Sequence, residues 1–226
     1  MRDPRSSQTS RSADPYRSYA GIYGWWSAPF NWWRRRAVQR LELRPGDVVV
    51  DVGCGIGLCF PLIEAGIGRT GLLIGVEPSE AMLQRAQALI DRHGWDNVIL
   101  VPESAEEAEL PRRADAVLFC AVHEVLRSLP ALENLFRQVN DGGRVVAVGG
   151  KWAPPWLLAL NVFVAVAHAP FVASFEGFDR PWSHLQRFVP DLRVTSAACE
   201  TAYLAWGTVT GAGQRAGNRD SAMEAG

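Results

Sequence analysis

The sequence predicts an α/β fold: an open, seven-stranded, mostly parallel sheet with helices on both faces and one antiparallel strand near an edge. Three observations carry this expectation. Five short, unbroken apolar runs recur through the middle of the chain, as strands buried on both faces require. A helical repeat separates the second run from the third, which gives strand–helix–strand alternation. A glycine-rich turn follows the first run directly.

Residues 1–15 are Arg, Ser, Asp, Thr and Pro without an apolar run and are expected to be disordered. The domain is expected over 16–210, and 211–226, rich in Gly and Ala, read as a second disordered tail. Within 16–42 lies "YGWWSAPFNWWRRR", Tyr23 to Arg36. Ser27 can cap a helix there, and Pro29 is tolerated in its first turn. Phe30, Trp33, Ala37 and Leu41 then share one face suited to packing on the sheet. Arg34, Arg35 and Arg36 are consecutive, each about 100° round the helix from the last. They fan out instead of forming a basic stripe, which weakens a nucleic-acid or membrane-surface reading.

The strand-like runs are "DVVVDV" (47–52), "LLIGVE" (72–77), "NVILV" (97–101), "DAVLFC" (115–120) and "RVVAVGG" (144–150). Between the second and third, Ser79 is placed to N-cap a helix whose inner face is Met82, Ala86, Leu89 and Ile90. Gly94 ends it. The stretch 151–188 is long, apolar and broken by Pro154, Pro155, Pro170 and Pro181. Its core "WLLALNVFVAVAHAPFVA" approaches membrane-spanning length, but Asn161, His168, Pro170 and the lack of flanking charge argue against a transmembrane helix. "DLRVTSAA" and "ETAYLAWGTV" complete the sheet as a hairpin-like pair.

Formal net charge is −1 with pI about 6.4, so a task centred on neutralising phosphates is disfavoured and no nucleic-acid partner is expected. Cys54, Cys59, Cys120 and Cys199 form no C-x-x-C pair and have no histidine at zinc spacing, so no metal is expected. With no signal peptide visible, reduced thiols in a cytoplasmic protein are the simplest expectation.

The chemistry centres on "VVVDVGCGIG", Val48 to Gly57. A buried strand delivers Asp51, then Gly53, Gly55 and Gly57, where glycine lets the main chain turn sharply and lie against a ligand. Leu58 breaks the dinucleotide fingerprint, and no Gly-Lys-Ser/Thr follows to make a phosphate loop. The next strand ends in "GVEPS", which sets Glu77 at the neighbouring carboxyl edge, where a carboxylate can accept both hydroxyls of a ribose.

With "VVVDVGCGIG", "GVEPSEAMLQRA", "ESAEEAEL", "ADAVLFCAVHEVL" and "NDGGRVVAVGG" in this order, the chain resembles the class I S-adenosylmethionine-dependent methyltransferases over roughly residues 43–150. It is most like the ubiquinone/menaquinone-type small-molecule enzymes. "IYGWWSAPFN" is similar to bacterial phosphatidylethanolamine N-methyltransferases.

The resemblance implies a Rossmann-like sheet, a helical lid over 16–42 and a substrate-binding insertion over 151–188, between the fifth and sixth strands. It implies S-adenosyl-L-methionine as cofactor, S-adenosyl-L-homocysteine as product and a small, apolar acceptor. Asp51, Gly53, Cys54, Gly55 and Gly57 would hold the cofactor's amino-acid end. Glu77 would hold the ribose, with Pro78 and Met82 beside the adenine. Ser104 and Ala105 stand where the family places Asp-Ala, so Ser104 implies an altered adenine contact. Cys120 and Ala121 would floor the site near the transferring methyl, and Tyr19 would touch the cofactor from the lid.

Tyr23, Trp25, Trp26, Trp152 and His168 are candidate acceptor contacts, and His123 is a candidate for both acceptor contact and general base. Packing of His123 against the cofactor is the alternative. His184 is a further pocket candidate. The apolar insertion predicts an acceptor pocket or a homodimer contact, and contact with lipid where the substrate itself is in lipid, without stable membrane insertion.

Overall fold

The computed structural model describes residues 31–169, 172 and 174–210. Tyr19, Tyr23, Trp25, Trp26, Ser27, Pro29 and Phe30, the first part of the expected lid, and both expected tails lie outside the described residues.

Seven strands form one sheet: β1 (Val48–Val52), β2 (Leu72–Val76), β3 (Val98–Val101), β4 (Ala114–Cys120), β5 (Val139–Gly150), β6 (Arg193–Ala197) and β7 (Ala202–Thr208). Their order is β3-β2-β1-β4-β5-β7-β6, and β7 alone runs against the direction shared by the other six. β1 therefore lies mid-sheet between β2 and β4, and the sense of progression reverses there. In open α/β sheets that reversal opens a crevice at the strands' carboxyl ends.

Six α-helices accompany the strands among the described residues: α1 (Asn31–Arg40), α2 (Phe60–Ile67), α3 (Glu80–His93), α4 (His123–Arg127), α5 (Leu129–Arg137) and α6 (Leu158–His168). A 3₁₀ turn spans Ser183–Arg187. Alternate strand residues feed two cores. Val50, Ile74, Val117 and Ala147 face α5 and the 3₁₀ turn through Leu132, Phe136 and Leu185. Val49, Leu73, Leu118 and Val146 face α1, α2 and α3 through Ala37, Ile63 and Ala86. Helices thus cover both faces, and Trp33, Ala37 and Leu41 are buried as their spacing predicts.

Two local expectations are refined. Ser79 occupies the N-cap position of α3, but its side chain makes no capping hydrogen bond; Gly94 does close the helix, at φ +64°. β5 begins at Val139, not Arg144. "NDGG" has turn composition, yet the chain passes through it as an irregular strand start. The register against β4 shifts between Ala114 and Ala116, and Gly142 donates its N–H to the carbonyl of Val209 at 2.8 Å. Among the described residues, no helix is long and apolar enough to cross a membrane.

Candidate functional site

β1 ends at Val52, and the chain turns through Gly53, Gly55 and Gly57, all at positive φ (+62°, +55° and +80°). A Cβ at Gly53 would strike Val122 Cγ1, so this glycine brings the turn against the loop after β4. At Gly55 a Cβ would meet nothing within 4 Å among the described residues. The Cys54 N–H donates to the Val76 carbonyl at 3.1 Å, fastening the turn to β2. Burial pushes the Cys54 thiol well above its usual range, which disfavours the thiolate.

Glu77, one residue past β2, is buried. Its Oε2 accepts the Gly55 N–H at 3.1 Å and its Oε1 accepts the Ser79 N–H at 3.0 Å. These two bonds, one to each carboxylate oxygen, fix the orientation of the side chain. Met82 is buried on α3 beside this edge, and Pro78 is exposed. After β3, the Ser104 carbonyl accepts the Glu107 and Ala108 N–H groups, and buried Ala105 has its carbonyl held by Asn134 Nδ2 at 3.1 Å. The Ser104 hydroxyl reaches Glu107 Oε2 at 3.4 Å.

Asp51 is 2% exposed, and its Oδ2 has no hydrogen-bond partner among the described residues. Burial first, then the negative partners Cys120 and Glu77, push its carboxyl well above the ordinary range, while Arg34 opposes the shift. Arg34 is itself only 6% exposed and donates to Asn31 Oδ1 at 2.6 Å. Its charge is felt at Asp51, Cys59 and Cys120, so α1 places a buried cation near these three groups. Cys59 hydrogen-bonds to Cys120, and that bond, reinforced by burial, pushes the Cys59 thiol up.

Beyond β4, Ala121 adopts φ +60° and His123 opens α4. His123 Nε2 lies 3.1 Å from the Glu176 carbonyl; since a carbonyl only accepts, Nε2 carries the proton and Nδ1 the lone pair. Burial lowers the pKa of His123 below the usual histidine value, so the ring is neutral at pH 7. Phe178, 1% exposed, gathers the other candidates. Its ring centroid is 5.0 Å from His123, 5.3 Å from Trp152, 5.3 Å from His168 and 5.2 Å from Phe175. His168 Nδ1 sits 2.9 Å from the Val164 carbonyl, and its ring covers Gly150 so closely that a Cβ there would collide. His184 lies on the 3₁₀ turn, where burial and then Arg127 and Arg187 lower its pKa.

The structure therefore gathers the candidates into two groups. Asp51, the glycine turn and Glu77 stand at adjacent carboxyl ends of β1 and β2, with Cys120 at that of β4. His123, Trp152 and His168 surround one phenylalanine above β4 and β5. Sequence reasoning missed two members. Arg34 lies in register with Val38 and Leu41, a spacing that marks an inward position. Phe178, in the aperiodic "FEGFD", carries no such signal.

Residues 49–143 match the family model described as a methyltransferase domain. The demethylmenaquinone methyltransferase of Desulfitobacterium hafniense is 31% identical over 120 residues, 51% of this chain and 47% of that protein. The Oceanobacillus iheyensis counterpart is 29% identical over 120 residues, 51% of this chain and 50% of that protein. The chain thus spans about half the length of the curated relatives it matches. Among solved structures, an S-adenosylmethionine-dependent methyltransferase from Aquifex aeolicus superposes with TM-score 0.59 at 18% identity, covering 88% of this chain and all of that one. The Haemonchus contortus phosphoethanolamine N-methyltransferase 2 in complex with S-adenosyl-L-methionine gives TM-score 0.64 at 14% identity, covering 90% of this chain and 58% of that one. At such identities the superpositions establish the fold.

Proposed function

We propose, from the premise that this chain carries a class I S-adenosylmethionine-dependent methyltransferase domain, that it transfers the methyl group of S-adenosyl-L-methionine to a small, apolar, quinone-like acceptor. The observation that carries the reading is the buried Glu77 carboxylate, aligned by the Gly55 and Ser79 N–H groups at the edge of the glycine turn. In this reading Glu77 receives the ribose hydroxyls. Pro78, Met82, Ser104 and Ala105 border the adenine, and Gly53, Cys54 and Gly57 shape the turn that the cofactor lies against. Asp51 takes the α-ammonium group on its unsatisfied Oδ2, and Arg34 takes the α-carboxylate.

The bound cofactor supplies a methyl group already activated by its sulfonium centre. The chain's contribution is then position: holding an acceptor in line with that methyl is worth about 7–11 kcal/mol at best. Cys120 and Ala121 floor the transfer point. Trp152, His168, Phe178 and His123 form the apolar acceptor wall. His123 enters as a neutral ring whose Nε2 proton is committed to the Glu176 carbonyl, so only Nδ1 is available to accept a proton. The direct test is calorimetric titration of the purified chain with S-adenosyl-L-homocysteine. Saturable one-to-one binding supports the reading, and no detectable binding refutes it.

A further inference from the structure

Helix α6 carries large apolar side chains on its outer surface. Leu158, Val162, Phe163 and Val166 are 65–73% exposed, and Trp156, just before the helix, is 78% exposed. Val164 is its one fully buried residue. Clustered exposed large apolar side chains mark interaction surfaces, whereas scattered single ones do not. Residues 152–175 contain no Asp, Glu, Lys or Arg. The helix's polar side chains are turned inward: Asn161 accepts the Ala153 N–H at 2.9 Å and donates to the Ala153 carbonyl at 3.2 Å, and His168 rests on Val164 and Gly150. The outer face therefore offers hydrocarbon and the indole of Trp156, with neither charge nor a spare side-chain amide.

That chemistry selects among occupants. A protein partner, including a second copy of this chain, commonly adds a polar rim with about one hydrogen bond per 100–200 Å². This face has almost nothing to contribute to one. The hydrocarbon boundary of a bilayer asks for no hydrogen bonds and accepts tryptophan at headgroup depth. At 11 residues α6 is about 16 Å long, too short to cross a hydrocarbon core of about 30 Å. It can only lie in the plane.

We propose that α6 and Trp156 form a docking surface for an electrically neutral lipid interface. The inner face of the same helix holds His168 against Phe178, one helix diameter, about 10 Å, from the lipid-facing side. An acceptor dissolved in lipid then has a short path to the aromatic cluster; this last step rests on the acceptor reading above, whereas the docking itself does not.

The test is flotation of the full chain with phosphatidylcholine vesicles, compared with the Trp156→Glu/Phe163→Glu double variant. Neither residue belongs to the proposed site. Thermal melting and S-adenosyl-L-homocysteine titration are run on both proteins. The expected result is flotation of the wild-type chain on uncharged vesicles and at least a tenfold lower partition of the variant, with melting and ligand affinity unchanged. Addition of anionic lipid is expected to change wild-type binding less than twofold. No flotation of the wild-type chain overturns the proposal, as does equal flotation of the variant. Flotation only with anionic lipid overturns it in favour of the exposed arginines of α1. A wild-type dimer in sedimentation velocity that the variant loses, without vesicle binding, overturns it in favour of a second copy. Failure of ligand titration in both proteins counts against the cofactor reading alone and leaves the vesicle result to stand by itself.

Discussion

The Glu77 carboxylate accepts the Gly55 backbone N–H at 3.1 Å, joining the end of β2 to the turn after β1. One side chain thus ties the glycine turn to the start of the segment after β2. Glu77→Ala is expected to weaken S-adenosyl-L-homocysteine binding at least tenfold, about 1.4 kcal/mol. Leaving the Gly55 and Ser79 N–H groups without their acceptor should also cost about 1–3 kcal/mol of stability. Glu77→Gln, which keeps one acceptor oxygen, should lose less stability than the alanine variant. Calorimetry and denaturant melts read both effects, and unchanged affinity in Glu77→Ala removes the ribose assignment.

Arg34 supplies a second, separable prediction. If its guanidinium meets the cofactor's carboxylate, Arg34→Gln should lose at least tenfold in affinity for S-adenosyl-L-homocysteine. It should leave affinity for 5′-methylthioadenosine, which lacks the amino-acid end, within twofold. Equal losses for the two ligands would instead make Arg34 a support for the fold of the crevice.

Asp51 gives the pH dependence. Burial raises its pKa well above that of an ordinary carboxylate, so the free protein keeps the proton to higher pH. An ammonium group bound at Oδ2 favours the ionised form, so binding expels that proton. Affinity for S-adenosyl-L-homocysteine should therefore rise with pH until the raised pKa is passed. Asp51→Asn should bind more weakly and lose that slope. Titrations in buffers of different ionisation enthalpy count the released proton.

His123 has a lowered pKa in the folded chain, chiefly through burial. The unfolded chain takes up this proton first as pH falls. The histidine's stabilising contribution is thus complete above its unfolded value near 6.5 and is lost as pH falls through the folded one. His123→Gln should accordingly melt with less acid sensitivity than the wild type between pH 7 and 5, and should bind S-adenosyl-L-homocysteine normally. Single-turnover methyl transfer that also survives the substitution assigns His123 to packing; a drop of a hundredfold or more assigns it to proton transfer.

Much of this architecture was legible in the sequence because buried parallel strands are continuous apolar runs. Val48–Val52 and Leu72–Val76 stand within a residue of where hydrophobicity places them. The start of β5 was not, because Gly142 and Gly143 read as a turn while tertiary pairing carries the strand through them. In the site, glycines and an acid at a strand tip leave a local signature, so the group around Asp51 and Glu77 could be named in advance. Arg34 was obscured because it sits in a run with the exposed Arg35 and Arg36, and three residues fanning round a helix do not by themselves say which one turns inward. Phe178 was invisible because its role comes from His123, Trp152 and His168 converging from three separate segments, a property of the fold and not of any window of sequence.

The central claim, methyl transfer to an apolar small molecule, is tested most directly with methyl-labelled S-adenosyl-L-methionine, purified protein and a deproteinised extract of the source cells. Label is followed into organic-soluble, aqueous and macromolecular fractions. The account predicts protein-dependent label in the organic-soluble fraction, abolished when protein is omitted and strongly reduced in Glu77→Ala. Label confined to the macromolecular fraction, or cofactor binding with no label transferred to any fraction, would contradict it.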